Sequence, residues 1–171
     1  MVGVSGSGKS TVVKGLLKHH PNAYIFSLDA LRLELYSAKN SGVDEKQLYS
    51  EAFSYANQNK QQFDELVNKS WAHARTQEVI IVDNMNHTRR SRARWVTEAR
   101  KRGFTIVAVN VIVPLDVVIA RQTSRTDKSV PVEIVRQAYF SQQEVQSDEA
   151  DFILNVDGTA EKPQLLGSLH F

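Results

Sequence analysis

The 171-residue chain contains no cysteine, which excludes disulfide cross-links, thiol chemistry and cysteine-ligated zinc. No apolar run approaches the ~18 residues of a membrane span, so no membrane role is expected. Charge of one sign is also lacking: 21 Lys plus Arg against 19 Asp plus Glu leaves +2, which excludes a uniformly basic nucleic-acid coat but permits a local basic site. The first ten residues are rich in Gly and Ser, without the charged-then-apolar order of an export signal. A cytoplasmic location is therefore the expectation. The five histidines (19, 20, 73, 87 and 170) show no metal-ligand spacing.

What is present is ordinary globular material: 42% hydrophobic and 23% charged residues in a length suited to one domain. Residues 1–171 are read as a single domain. Strand-like and helix-like patterns alternate. Strands are expected at Met1–Val4, Tyr24–Leu28, Val79–Asp83, Thr105–Val113 and Phe152–Val156. Helices are expected at Ser10–His20, in two pieces over Asp44–Gln77, and at Arg89–Arg102, Leu115–Thr126 and Pro131–Ser147. A short helix is expected in the tail Glu161–Phe171, and Ala38–Val43 is the most loop-like interior stretch. This alternation predicts an α/β fold, a mainly parallel sheet wrapped by helices. Only Met1 and Val2 precede Gly3, so the first strand is short or begins upstream.

Gly3-Val4-Ser5-Gly6-Ser7-Gly8-Lys9-Ser10 fits G-x-x-x-x-G-K-[ST] without a mismatch. Glycines let backbone N–H groups turn inward around phosphate oxygens, and the next helix points its positive end at the same anion. Lys9 then reaches the β/γ-phosphates and the Ser10 hydroxyl helps hold Mg²⁺. ATP and Mg²⁺ are the implied ligands, with Gly3, Ser5, Gly6, Ser7, Gly8, Lys9, Ser10 and Thr11 forming the cradle. Neither Asn59-Lys60 nor Asn68-Lys69 is followed by the Asp of a guanine-reading N-K-x-D motif. Asn84, not a water-activating Glu, follows Asp83, which argues against an AAA-type motor and for transfer to something other than water.

Asp29 stands at the C-terminal end of the second strand, where α/β folds bind ligands, and Arg32 follows three residues later. Asp29 is placed either to accept a proton from an attacking hydroxyl or to cap a helix. Arg121 and Arg125 are four apart on an expected helix and share a face. They serve either to offset transition-state charge or as a solvated basic surface. Residues 89–102 carry seven basic side chains against one acid, with Trp95 between them. That stripe suits either a polyanionic acceptor or a solvated helix face.

Together these pieces resemble the kinase domain of phage T4-type polynucleotide 5′-kinases and their P-loop phosphotransferase relatives. Four stretches carry the resemblance: residues 3–11, Ser-Leu-Asp-Ala-Leu-Arg (27–32), Val-Asp-Asn-Met-Asn-His-Thr-Arg-Arg (82–90), and Arg-Gln-Thr-Ser-Arg-Thr-Asp-Lys-Ser-Val-Pro (121–131). It implies a P-loop kinase-like three-layer sandwich with five strands in the order 2-3-1-4-5, helices on both faces and a lid near 121–131. It further implies γ-phosphate transfer from ATP to the 5′-hydroxyl end of DNA or RNA. Asp29 would be the general base, Arg32 would bind phosphate beside the acceptor, and Asp83 and Asn84 would lie on the acceptor side. Arg125, with Arg121 opening the motif, would contact the donor phosphates. Asn84 departs from the phage pattern, which has Thr there, and this leaves acceptor preference open. The alternatives are a kinase of a small metabolite or nucleoside, and a nucleotide-dependent switch module without phosphotransfer. No protein partner is inferable, and homo-oligomerisation is left open.

The run Phe152–Thr159 also resembles the Asp-x-Asp-Gly-Thr signature of haloacid-dehalogenase phosphatases. Asn155 replaces the nucleophilic Asp, and only 12 residues follow Thr159. A fifth kinase strand is the better reading, and 3′-phosphatase activity is not expected.

Overall fold

The computed structural model describes residues 1–40, 45–125, 128, 130–160 and 164–166. The chain divides into two compact units. One comprises Met1–Val12, Met85–Gln122 and Pro131–Phe171; the other comprises Val13–Asn84 and Thr123–Val130. Of the loop expected at Ala38–Val43, residues 41–43 lie outside the described residues, as do Thr126, Asp127 and Ser129 of the lid motif. Among the described residues no helix is long and apolar enough to cross a membrane.

In the second unit, strands β1 (Tyr24–Phe26) and β2 (Ile80–Val82) pair in parallel, with Tyr24 opposite Ile80 and Phe26 opposite Val82. β1 is shorter than expected because Ser27 breaks away to cap helix α2 (Leu28–Ser37): its Oγ accepts from the Ala30 N–H at 3.4 Å. Helices α3 (Glu45–Gln58) and α4 (Lys60–Ala74) fill the segment read as two helices. Their small and apolar faces are buried at Ala52, Ala56, Val67, Trp71 and Ala74. Trp71 meets the fully buried Phe26 edge to face, with ring centroids 5.0 Å apart.

In the first unit, β3 (Val107–Ile112) pairs in parallel with β4 (Phe152–Asp157). The expected first strand is reduced to one parallel bridge, Val2 with Asn110. There Val2 N–H donates to Val109 O at 2.8 Å, and Val111 N–H donates to Val2 O at 3.0 Å. The described ladders thus form two sheets, and the five strands are not described as one ladder in the order 2-3-1-4-5. Of the tail in which a short helix is expected, residues 161–163 and 167–171 lie outside the described residues. Gln164–Leu166 is strand β5, antiparallel to β4, not part of a helix. The open edge of β4 supplies the hydrogen-bond partners that a short isolated helix would lack.

Helix α1 (Lys9–His19) and helix α6 (Leu115–Ser124) each continue from one unit's residues into the other's. Helix α5 (Arg89–Arg100) starts in a reciprocal capping box between Thr88 and Ser91. Helix α7 (Val132–Phe140) ends well before the expected Ser147. The reason is visible in its would-be continuation: Gln143 N–H donates to His87 O, and the carbonyls of Gln143 and Glu144 accept from Arg92.

Arg92 belongs to neither of the two readings of the basic stripe on α5, a polyanion site or a solvated face. It is only 5% exposed, and its guanidinium grips both oxygens of buried Glu149 at 2.9 Å while reaching Asn86 O, Gln143 O and Glu144 O. The bonds from Arg92, helped by a Gln146 N–H bond, outweigh the upward push of burial and hold the Glu149 carboxyl below its ordinary 4.5. Arg92→Ala should destabilise the protein by about 3–5 kcal/mol in chemical denaturation, because it strands a buried carboxylate. Arg90→Ala on the exposed side should stay within about 0.5 kcal/mol. Because the folded-state pKa of Glu149 is depressed, this stabilisation is present above the ordinary carboxylate pKa and is lost as pH falls through the lowered one. The stability gap between wild type and Arg92→Ala should therefore shrink in acid.

Candidate active site

The phosphate loop lies within the first unit. Gly3, Gly6 and Gly8 take φ of 145°, 85° and 94°, a backbone region that side chains with a Cβ rarely enter. A Cβ on Gly3 would stand 2.7 Å from Ser7 Oγ, and one on Gly6 would stand 3.0 Å from Val118 O. Helix α1 begins at Lys9, and its earliest internal bonds run from the Thr11 and Val12 N–H groups to Gly8 O. First-turn amides have no intrahelical acceptor and point along the axis toward an anion. Lys9 Nζ donates to Val4 O at 2.7 Å, and Ser10 is exposed in the first turn. Ser5 ties the loop to α6 through Gln122 Oε1 at 3.0 Å. Ser7 is buried in the loop's turn, and exposed Thr11 follows Ser10 on α1.

The end of β4 frames the same loop. Arg121 donates to Gly158 O at 2.7 Å and to Thr159 O at 2.9 Å, and the Gly8 Cα faces Gly158 O. Asp157 accepts from the Thr159 hydroxyl and N–H, which hold its carboxyl below the ordinary range. His87 sits near Lys9. Burial first, then the charges of Lys9 and Arg92, lower its pKa, so its ring is neutral at physiological pH.

These residues fit a nucleoside triphosphate: left-handed glycines, a helix start, one lysine and one arginine converge without an acidic side chain in the loop. Among the described residues no group of three His, Cys, Asp or Glu side chains could hold a metal by itself. Ser10 is the loop's oxygen donor, and Mg²⁺ commonly takes few protein ligands and several phosphate oxygens.

The second unit holds the other predicted residues. Asp29 lies in the first turn of α2 and is not its cap, because Ser27 has that role. Arg32 Nη1 donates to Asp29 Oδ1 at 2.7 Å, Tyr49 OH donates to the same oxygen at 3.2 Å, and Lys128 Nζ donates to Oδ2. Burial alone would raise the Asp29 pKa. The charge and hydrogen bond of Lys128, the charge of Arg32 and the Tyr49 bond outweigh it, so the net position is below 3.8. The Arg32 guanidinium lies 4.9 Å from the Phe53 ring centroid and 5.3 Å from that of Phe63. Asn84 is also structural here: its Oδ1 accepts from the Leu28 N–H at 2.9 Å, holding the start of α2. Asp83 directly follows β2, and its N–H bonds Phe26 O. Arg125 corrects one expectation. Helix α6 ends at Ser124, so Arg121 and Arg125 do not share a face of one helix, and Arg125 lies near enough to lower the Tyr49 pKa.

Sequence reasoning missed Tyr49 and the partnership of Lys128. Lys128 lies inside the quoted 121–131 stretch, and a cation near a candidate base was available as a signal. Tyr49 carries none: it reads as one more aromatic on a helix.

The loop and the paired strands define a P-loop, kinase-like α/β domain. A family model described as an AAA domain, AAA_33, matches residues 1–147. The chain belongs to that family. Membership leaves the motor-type glutamate missing, since Asn84 occupies its place and is engaged in holding α2. Among solved structures the chain is similar to a gluconokinase from Sinorhizobium meliloti 1021, with a TM-score of 0.52 and 16% identity over 90% of this chain and 79% of that one. At that identity the likeness concerns the fold. No curated protein matches the chain.

A distant glycine tests this loop geometry. A Cβ on Gly158 would stand 2.4 Å from Ser7 O and 2.6 Å from Val113 Cγ2. Gly158→Ala should therefore lower Tm and weaken ATP binding at least several-fold by calorimetry, although it lies 149 positions beyond Lys9.

Proposed function

We propose that this protein is an ATP-dependent kinase that phosphorylates a hydroxyl group of a small metabolite. The observation that carries the reading is an ionised carboxylate, Asp29, held by Arg32, Lys128 and Tyr49 in a chain that also bears a complete phosphate loop. In this reading Lys9 and the loop amides bind the donor phosphates and Ser10 contributes to holding Mg²⁺, which supplies charge neutralisation when bound. Asp29 orients the acceptor hydroxyl and takes its proton. The acceptor oxygen forms a bond to the γ-phosphorus as the bridging bond to the β-phosphate breaks, and ADP leaves. Arg32 and Arg125 face negative charge on the acceptor or in the transition state, and Asp83 stays on the acceptor side.

Acceptor size is argued from helix α5. Arg92 is consumed by Glu149, Arg89 pairs with Asp148, Arg100 pairs with Asp151 at 2.5 Å, and Lys101 pairs with Glu98 at 3.3 Å. Four of the seven basic side chains are thus matched by the chain's own acids, which reduces the charge the stripe offers a polyanion, and the gluconokinase likeness points the same way. The Asp29–Arg32 pair, spaced as in polynucleotide 5′-kinases, favours a second reading with a DNA or RNA 5′-hydroxyl end as acceptor.

Labelled ATP should be incubated with a panel of sugar acids, nucleosides and 5′-hydroxyl oligonucleotides. Transfer to a small acceptor with a KM nearly independent of salt is expected. Transfer to oligonucleotides alone, with affinity falling steeply as salt rises, would replace the first reading by the second. ATP binding without transfer to any member would leave a switch module. Lys9→Ala should abolish nearly all transfer with Tm unchanged. Asp29→Asn should lower kcat by about 10²–10⁴-fold with little change in ATP affinity; retention of wild-type kcat would rule Asp29 out as base.

A further inference from the structure

The geometry points to Tyr49 as the positioning residue that aims the Asp29 carboxylate, so that Oδ2 is the oxygen that accepts the acceptor's proton. This rests on Asp29 acting as base. A carboxylate has two in-plane acceptor sites on each oxygen. Both sites of Oδ1 are taken, one by the Arg32 guanidinium at 2.7 Å and one by the Tyr49 hydroxyl at 3.2 Å. Among the described residues Oδ2 carries only Lys128. One site of Oδ2 is thus left for a hydroxyl, and departure of Lys128 would free the second.

Three separate elements fix this orientation. Asp29 and Arg32 lie on α2, and Arg32 is itself backed by the rings of Phe53 and Phe63. Tyr49 comes from α3. Lys128 comes from the 123–130 segment, and its Nζ lies 4.7 Å from the centroid of the Tyr49 ring. Tyr49 therefore has two jobs, with its hydroxyl on Oδ1 and its ring face under the cation on Oδ2. With Arg32 alone, the carboxylate could swivel about χ2 and exchange its oxygens; a second donor on Oδ1 from a different helix removes that freedom.

Tyr49 itself is not a proton acceptor at working pH. Burial first, and then the Asp29 charge, push its ionisation far above the ordinary 10, while Arg32 and Arg125 counter only part of this. It remains a donor, and donation favours the ionised form of Asp29. Hydrogen bonds to the ionised form lower a carboxylate's pKa, so loss of the Tyr49 bond should raise that of Asp29.

The test is Tyr49→Phe, which deletes the hydroxyl and keeps the ring, with Tyr49→Leu as the variant that removes both. The Asp29 carboxyl is followed by NMR titration in wild type and variant, without acceptor. In parallel, kcat, KM and the acid limb of kcat are measured with whichever panel member turns over. In Tyr49→Phe the Asp29 pKa and the acid limb should rise together, kcat should fall about three- to tenfold, and the KM for ATP should be unchanged. Tyr49→Leu should lose more than Tyr49→Phe, through Lys128. An unmoved Asp29 pKa, or a loss confined to Tm, would overturn the positioning role whatever Asp29 does. A pKa that rises while the acid limb stays fixed would instead overturn Asp29 as base.

Discussion

The first unit is organised around one buried guanidinium. Burying Arg92 would cost several kcal/mol if any of its donors were left unmet. The chain meets the demand with the Glu149 carboxylate and three backbone carbonyls, from Asn86, Gln143 and Glu144. Those acceptors belong to two distant segments, so satisfying one side chain ties the end of α7 to the stretch before α5. That stretch in turn reaches the start of the chain: Met85 O accepts from Gly3 N–H at 2.9 Å, and Asn86 Nδ2 donates to Met1 O at 2.9 Å. Asn86 holds a left-handed φ of 48°, a strained conformation maintained by these bonds. The phosphate loop is anchored at its first residue by the consequences of an ion pair far along the sequence.

Charge is handled differently in the second unit. Arg92 and Glu149 satisfy each other, and little in their surroundings is left for a ligand. Asp29 is more exposed and faces more positive charge than it can neutralise, with Arg32 and Lys128 both on one carboxylate. A partly exposed carboxylate with two cations and a phenol has residual electrostatic capacity for a further anion or a polar hydroxyl. Structural ion pairs close their own account of donors and acceptors, whereas functional ones leave a site open. By that criterion α5 is a scaffold, and the start of α2 is where the chemistry we propose falls.

Membership of the AAA domain family and the kinase-like fold are consistent with that division. A water-activating motor needs an acid beside the Walker-type aspartate; this chain has Asn84, committed to the N-terminus of α2. The same asparagine therefore removes one chemistry and stabilises the helix that presents Asp29. Asn84 thus acts through what it holds.

Motifs that act through their own backbone were legible without coordinates. The phosphate loop works because consecutive glycines and the following helix place N–H groups locally, and local geometry follows from local sequence. Most helix positions, and the division of the Asp44–Gln77 segment into two helices, followed from periodicity for the same reason. Contacts between residues far apart in the chain were not legible. Nothing near Tyr49 in sequence announces Asp29, nothing near Gly158 announces Ser7, and a run of seven basic residues cannot reveal which one is buried against Glu149. Burial and partner choice also decided where elements stop: α7 ends before the segment whose carbonyls meet Arg92, and residues 164–166 pair along the edge of β4. These outcomes depend on desolvation and on long-range donor and acceptor matching, which exist only once the chain has packed.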